Sequence, residues 1–106
     1  MKTIQLKKFG NVLVSRPLGL EAFNAIRPQL DPAVFVQIDF DNVLTVTPSW
    51  LDEFLTNLAD FNQGKVELLP TKNASVLASL PILAMARKDF VADIVTRALD
   101  TMQKEK

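Results

Sequence analysis

Val34-Phe35-Val36-Gln37-Ile38-Asp39-Phe40 sets Val34, Val36, Ile38 and Phe40 on one side of an extended chain and Gln37 and Asp39 on the other. A period of two predicts a strand with one face in a core and the other toward solvent or a partner. A strand covered on both faces would be apolar throughout, so helices should lie mainly on one side of this sheet. After a loop from Asp41 to Val46, Thr47-Pro48 reads as an N-cap followed by proline at the first helical position. Trp50, Leu51, Phe54, Leu55, Leu58 and Phe61 then trace one broad helical stripe, opposed by Asp52, Glu53, Thr56, Asn57 and Asp60. Gly64 suits the stop, and Lys65 to Leu69 reads as the next strand.

Upstream, Ile4 and Leu6 alternate with polar residues, Val12 and Val14 form a second short run, and Phe9-Gly10-Asn11 between them is a hairpin signal. Ser15 to Gly19 is turn-like, and Leu20, Phe23 and Ile26 have helical spacing that should end near Arg27, before Pro28. Downstream, Asn73 to Leu80 is read as a short helix, and Pro81 is placed to open a final helix. In that helix Val91, Ile94, Val95, Ala98, Leu99 and Met102 recur on one face; the polar tail Gln103 to Lys106 should fray. The order is β-β-α-β-α-β-α(α), an α/β fold with a mixed sheet of about four strands and helices mainly on one face. With 106 residues the chain has room for one core, a single domain over 1–106.

Nearly half the residues are apolar, and twelve basic residues balance twelve acidic ones. No net field draws such a chain to nucleic acid or to an anionic membrane, and no run approaches the ~18 apolar residues of a membrane span. Cysteine and histidine are both absent. Thiolate and imidazole metal sites are thereby excluded, the commonest general base is missing, and a reducing cytoplasm fits. No cofactor, metal site or catalytic residue is expected, and the chain reads as a binding module and not as an enzyme.

Val36 to Val43, followed by Val46-Thr47-Pro48-Ser49-Trp50-Leu51-Asp52-Glu53-Phe54-Leu55, resembles the bacterial STAS-like domains of unknown function, as does Ser15-Arg16-Pro17-Leu18-Gly19 before the first helix. Those domains pair a hydrophobic strand ending in Asp-Phe with a Ser-aromatic-x-Asp-Glu helix start. The resemblance covers roughly residues 12 to 70. It implies a STAS-like fold distantly similar to the anti-sigma factor antagonists, in which a partner kinase phosphorylates a serine at this helix start and so switches binding. Ser49 falls at that place. The wider signature there is Asp-Ser-Ser-Gly, where this chain has Thr47-Pro48-Ser49-Trp50. The implied partner is a protein, a serine kinase or a histidine-kinase-like ATPase regulator.

Ser49 is thus the phosphoacceptor candidate, and Asp41, Thr47, Asp52 and Glu53 are the partner-docking candidates. Capping alone also accounts for Thr47 and Ser49, and solvation for the carboxylates. Two other functions are open. A small-ligand or nucleotide sensor would use the strand-end loops Asp41 to Thr47 and Thr71-Lys72-Asn73, where parallel sheets bind ligands. A structural homodimer would bury the open sheet face.

Overall fold

The alternating run around Ile38 becomes a strand and the Trp50 to Phe61 stripe a helix, while Leu6 leaves its alternating run for a 3-10 turn, and in the run of Val12 and Val14 it is Leu13 that is buried. The computed structural model describes residues 1–87 and 89–104. Its elements are β1 (Lys2–Gln5), a 3-10 turn (Leu6–Phe9), β2 (Val12–Leu13), α1 (Arg16–Ile26), a second 3-10 turn (Arg27–Gln29), β3 (Val36–Asp39), β4 (Thr45–Val46), α2 (Pro48–Asn62), β5 (Val66–Leu68), α3 (Ala74–Ala86) and α4 (Phe90–Lys104). Of the expected frayed tail, Glu105 and Lys106 lie outside the described residues.

β3 is the centre of a three-stranded parallel sheet in the order β1-β3-β5. Its register puts Ile4, Ile38 and Leu68 in one row and Thr3, Gln37 and Glu67 in the neighbouring row on the opposite face. The first row is buried; on the opposite face Thr3, Gln5, Gln37, Asp39 and Glu67 all keep contact with water. The alternation in the sequence is this division between a core face and an open, polar face.

The expected hairpin does not form. β1 and β2 belong to different sheets, β1 pairing with β3 and β2 with β4, and every strand pair among the described residues is parallel. The reason lies in Leu6 and Phe9. Three residues apart, they turn to the same side in one 3-10 turn, where Leu6 is fully buried and the Phe9 ring lies 5.8 Å from that of Phe54 and 6.2 Å from that of Trp50. Gly10, at φ 123, redirects the chain to β2. The stretch read as a loop before α2 holds β4, whose Val46 pairs with Leu13.

α2 is the central helix, with Trp50 stacked on Phe54 at 5.0 Å and Leu51, Leu55 and Leu58 fully buried. α1 crosses it closely at Gly19, where an added Cβ would stand 2.5 Å from the Trp50 carbonyl oxygen. Pro81 does not open the last helix; it lies within α3. Asn73 starts that helix instead, its side-chain oxygen accepting the Ser75 and Val76 N–H groups at 2.9 and 3.2 Å. Burial of Val76, Ser79, Leu80 and Leu83 carries the helix past Pro81, whose ring is on the exposed side.

Candidate functional site

The first turn of α2 is built as its sequence requires. Thr47 is extended at φ −97 and ψ 154, and its hydroxyl accepts the Trp50 N–H at 3.4 Å. Pro48 follows in the position where no N–H is needed. Ser49 is half-buried, with its hydroxyl 3.2 Å from that of Thr47. The two hydroxyls therefore sit together at the positive end of the helix.

One turn further on, the carboxylates predicted for the outer face have partners inside the chain. Arg16 Nη1 donates to Asp52 Oδ2 at 2.7 Å and to Glu53 Oε2 at 3.2 Å, and Arg87 Nη1 lies 3.3 Å from Asp52 Oδ1. Arg87 also reaches Asp89 at 2.6 Å. Asp52 is only 8% exposed. It is therefore an internal tie joining the start of α1, the first turns of α2 and the end of α3, and its carboxylate is not free for docking. Hydrogen bonds to Asp52 and then Glu53 hold the Arg16 guanidinium above its usual pKa, and the bond to Asp89 does the same for Arg87. In return Arg87 lowers the Asp89 carboxyl below the ordinary aspartate value.

Ser15 enters α1 at φ 76 and ψ 146 without a side-chain capping bond, a conformation that glycine adopts far more readily. It turns the chain out of β2 into α1 just before Arg16. The sequence reading named neither arginine as a site residue. The signal available was Ser15-Arg16 preceding a helix whose crossing partner carries Asp52-Glu53.

A second feature lies beyond the carboxyl ends of β3 and β5, where Asp41, Pro70, Thr71, Lys72, Leu77, Leu99, Met102 and Gln103 line a cleft of about 690 Å³. Its rim is braced. Asp39 Oδ1 accepts the Asp41 N–H at 2.9 Å, Asn73 Nδ2 donates to the carbonyls of Val43 and Leu44 at 2.6 and 3.3 Å, and Ser75 Oγ accepts the Val46 N–H at 3.0 Å. The two loops are thus joined to each other, while Asp41 and Lys72 stay exposed. Apolar side chains from α3 and α4 form one wall and polar groups from the loops another.

The third feature is on α3. Ala74, Leu77, Ala78, Pro81, Ile82, Met85 and Ala86 are all exposed, at a helical spacing that makes them one stripe. The opposite side of the helix packs Val76, Leu80 and Leu83 into the core. The sequence reading gave only a short helix here and assigned it no faces; α3 has two apolar ones. The overlooked signal is the lack of any charged residue between Lys72 and Arg87.

Asp39, Asp41, Asp52 and Glu53 do not converge: among the described residues no group of three or more acidic side chains could hold a metal ion. Nor is any helix among them long and apolar enough to cross a membrane. Compared with family models, curated proteins and solved structures, the chain matches none.

Proposed function

We propose that the chain is a STAS-like regulatory module of the bacterial cytoplasm that acts by binding protein surfaces and performs no catalysis. The observation that carries this reading is the exposed stripe of α3, seven apolar residues on a helix without a charge. Contiguous apolar surface of this kind marks interaction sites in folded proteins. Support for control at Ser49 comes from its neighbours. A phosphate there would add roughly two negative charges three and four residues before Asp52 and Glu53, and it would compete with both for Arg16. Thr47 belongs to the same first turn, Glu53 shares Arg16, and Asp41 lies on the neighbouring loop; these remain the polar groups around the switch.

The test is to compare wild type, Ser49→Glu and Ile82→Glu for complex formation in light scattering and in pull-down from bacterial extract. Loss of a complex in Ile82→Glu, with unchanged circular dichroism, supports the α3 surface, and an altered affinity in Ser49→Glu supports the switch. A wild-type chain that neither self-associates nor retains any protein would sink the reading.

The cleft supports a second reading, a sensor for a small ligand or nucleotide. Its volume falls within the ~300–1,000 Å³ of small-molecule sites. Lys72 and Asp41 would meet polar groups, while Leu77, Leu99 and Met102 would cover an apolar body. A ligand screen by thermal melting tests it, since ligand at ~100 times its Kd adds ~2.7 kcal/mol of stability; a hit must vanish in Lys72→Ala. A homodimer through the open sheet face has less support, because that face carries Thr3, Gln5, Gln37, Asp39 and Glu67.

A further inference from the structure

We infer that the exposed face of α3 is a self-association surface on which a second copy of this chain packs its own α3, antiparallel, about a two-fold axis between Ala78 and Pro81. The inference rests on the reading of the chain as a binding module and specifies what occupies the surface.

Three observations select a second copy. The first is charge. From Ala74 to Ala86 the only polar side chains are Ser75 and Ser79, both turned away from the exposed stripe: Ser79 is buried and bonded to the Ser75 carbonyl, and Ser75 accepts the Val46 N–H. Arg87, which directly follows, is drawn back onto Asp52 and Asp89. From Ala74 to Ala86 the helix offers a charged partner no ion pair, whereas the same uncharged face of a second copy brings no charge to bury.

The second is shape. Ala74 and Ala78 occupy the first half of the stripe, and Ile82 and Met85 the second. In an antiparallel pair about this axis Met85 of one copy lies over Ala74 of the other, Pro81 over Ala78 and Ile82 over Leu77, so the longest and most exposed side chain meets one of the smallest. A parallel pair would set methionine on methionine and leave a gap between alanines. Two-fold symmetry repeats each contact and closes the assembly at two chains. The antiparallel arrangement also opposes the two helix dipoles.

The third is area. Leu77, Ile82 and Met85 are 39%, 53% and 88% exposed. With the alanines and Pro81 this amounts to roughly 550 Å² per copy, or roughly 1,100 Å² for a pair, above the ~1,000 Å² that a specific interface should clear.

Light scattering at ~100 μM should return twice the 11.8 kDa of the chain, with a dissociation constant in the micromolar range. Ile82→Glu and Met85→Glu should each weaken association by roughly 100-fold or more and run as monomers. Both side chains project from the surface, so circular dichroism should be unchanged, and the melting temperature should fall only by the stabilisation that dimerisation adds. Orientation is tested separately, because the chain has no cysteine of its own. Mixing Ala74→Cys with Met85→Cys under a mild oxidant should give the mixed disulfide, while Ala74→Cys alone should not cross-link, its two copies standing ~17 Å apart along the pair. A monomeric wild type overturns the inference. If Ile82→Glu then still loses a different protein in pull-down, the binding-module reading survives; if nothing is lost, that reading falls too. A dimer indifferent to both glutamates, or an Ala74→Cys chain that cross-links to itself, likewise overturns the arrangement.

Discussion

Gly19→Ala should destabilise the protein, although the same change at an open helix position would stabilise it. An added Cβ at residue 19 would stand 2.5 Å from the Trp50 carbonyl oxygen and 3.3 Å from the Glu53 Cβ. The obstruction is backbone, so α1 and α2 must separate. Forcing an extra methyl into a packed contact costs ~1–3 kcal/mol, and against backbone, which cannot turn aside as a side chain can, the upper ~2–3 kcal/mol applies, while alanine's better helix propensity returns ~1 kcal/mol. The net loss is ~1–2 kcal/mol. At ~4–8 °C per kcal/mol for a domain near this size, the melting temperature should drop by ~4–16 °C. Asn24→Ala, exposed on the same helix, is the control and should gain up to ~0.5 kcal/mol. Melting curves at neutral pH decide the sign. If Gly19→Ala melts at or above wild type, the close crossing is absent, and with it the geometry that brings Arg16 to Asp52 and Glu53.

Asp52→Asn keeps the shape of the side chain but removes the charge that two arginines share, and it should cost ~1–2 kcal/mol in urea unfolding, a figure held down by the half-exposed Arg16. A loss below ~0.3 kcal/mol would mean the cluster is ornamental to the fold. Asp89, whose pKa is lowered chiefly by Arg87, contributes stability that is present above the ordinary aspartate value near ~3.9. That contribution disappears as pH falls through the lower folded value, so wild type should lose melting temperature below about pH 4 more steeply than Asp89→Asn. Asp89 is partly exposed, which keeps the difference under ~1 kcal/mol. Parallel acid limbs for the two proteins would count against the pairing.

Much of the fold is legible where one signal acts alone. Thr47-Pro48 gives the start of α2, and the Trp50 to Leu58 stripe gives its buried side, because caps and helical periodicity are local. The alternation around Ile38 likewise gives the two faces of β3. Partner choice between strands is not local. Gly10-Asn11 satisfies a hairpin, yet burial of Leu6 and Phe9 folds the preceding residues into a turn, and β1 and β2 go to different neighbours. Pro81 misleads for a related reason. Its cost inside a helix is offset by burial of Val76, Leu80 and Leu83 on the far side. At the candidate site, Ser49 and Thr47 are legible from their capping chemistry, whereas the role of Asp52 depends on Arg16 and Arg87, each more than thirty residues away in sequence.

That dependence ties the two ends of the candidate surface together. Asp52, on α2, receives Arg16 on one oxygen and Arg87 on the other, so the start of α1 and the end of α3 share one carboxylate. Arg87 directly follows the apolar stripe, and the hold of Asp52 and Asp89 keeps its charge off that face. A negative group at Ser49 would draw Arg16 away and leave Asp52 more fully to Arg87, which keeps the α3 face uncharged; neutralising Asp52 would do the reverse and free Arg87 toward the stripe. If the proposed switch and the α3 association both hold, they should be coupled in sign: a phosphate at Ser49 would favour the exposed face for binding, and loss of the Asp52 carboxylate would weaken it along with the fold.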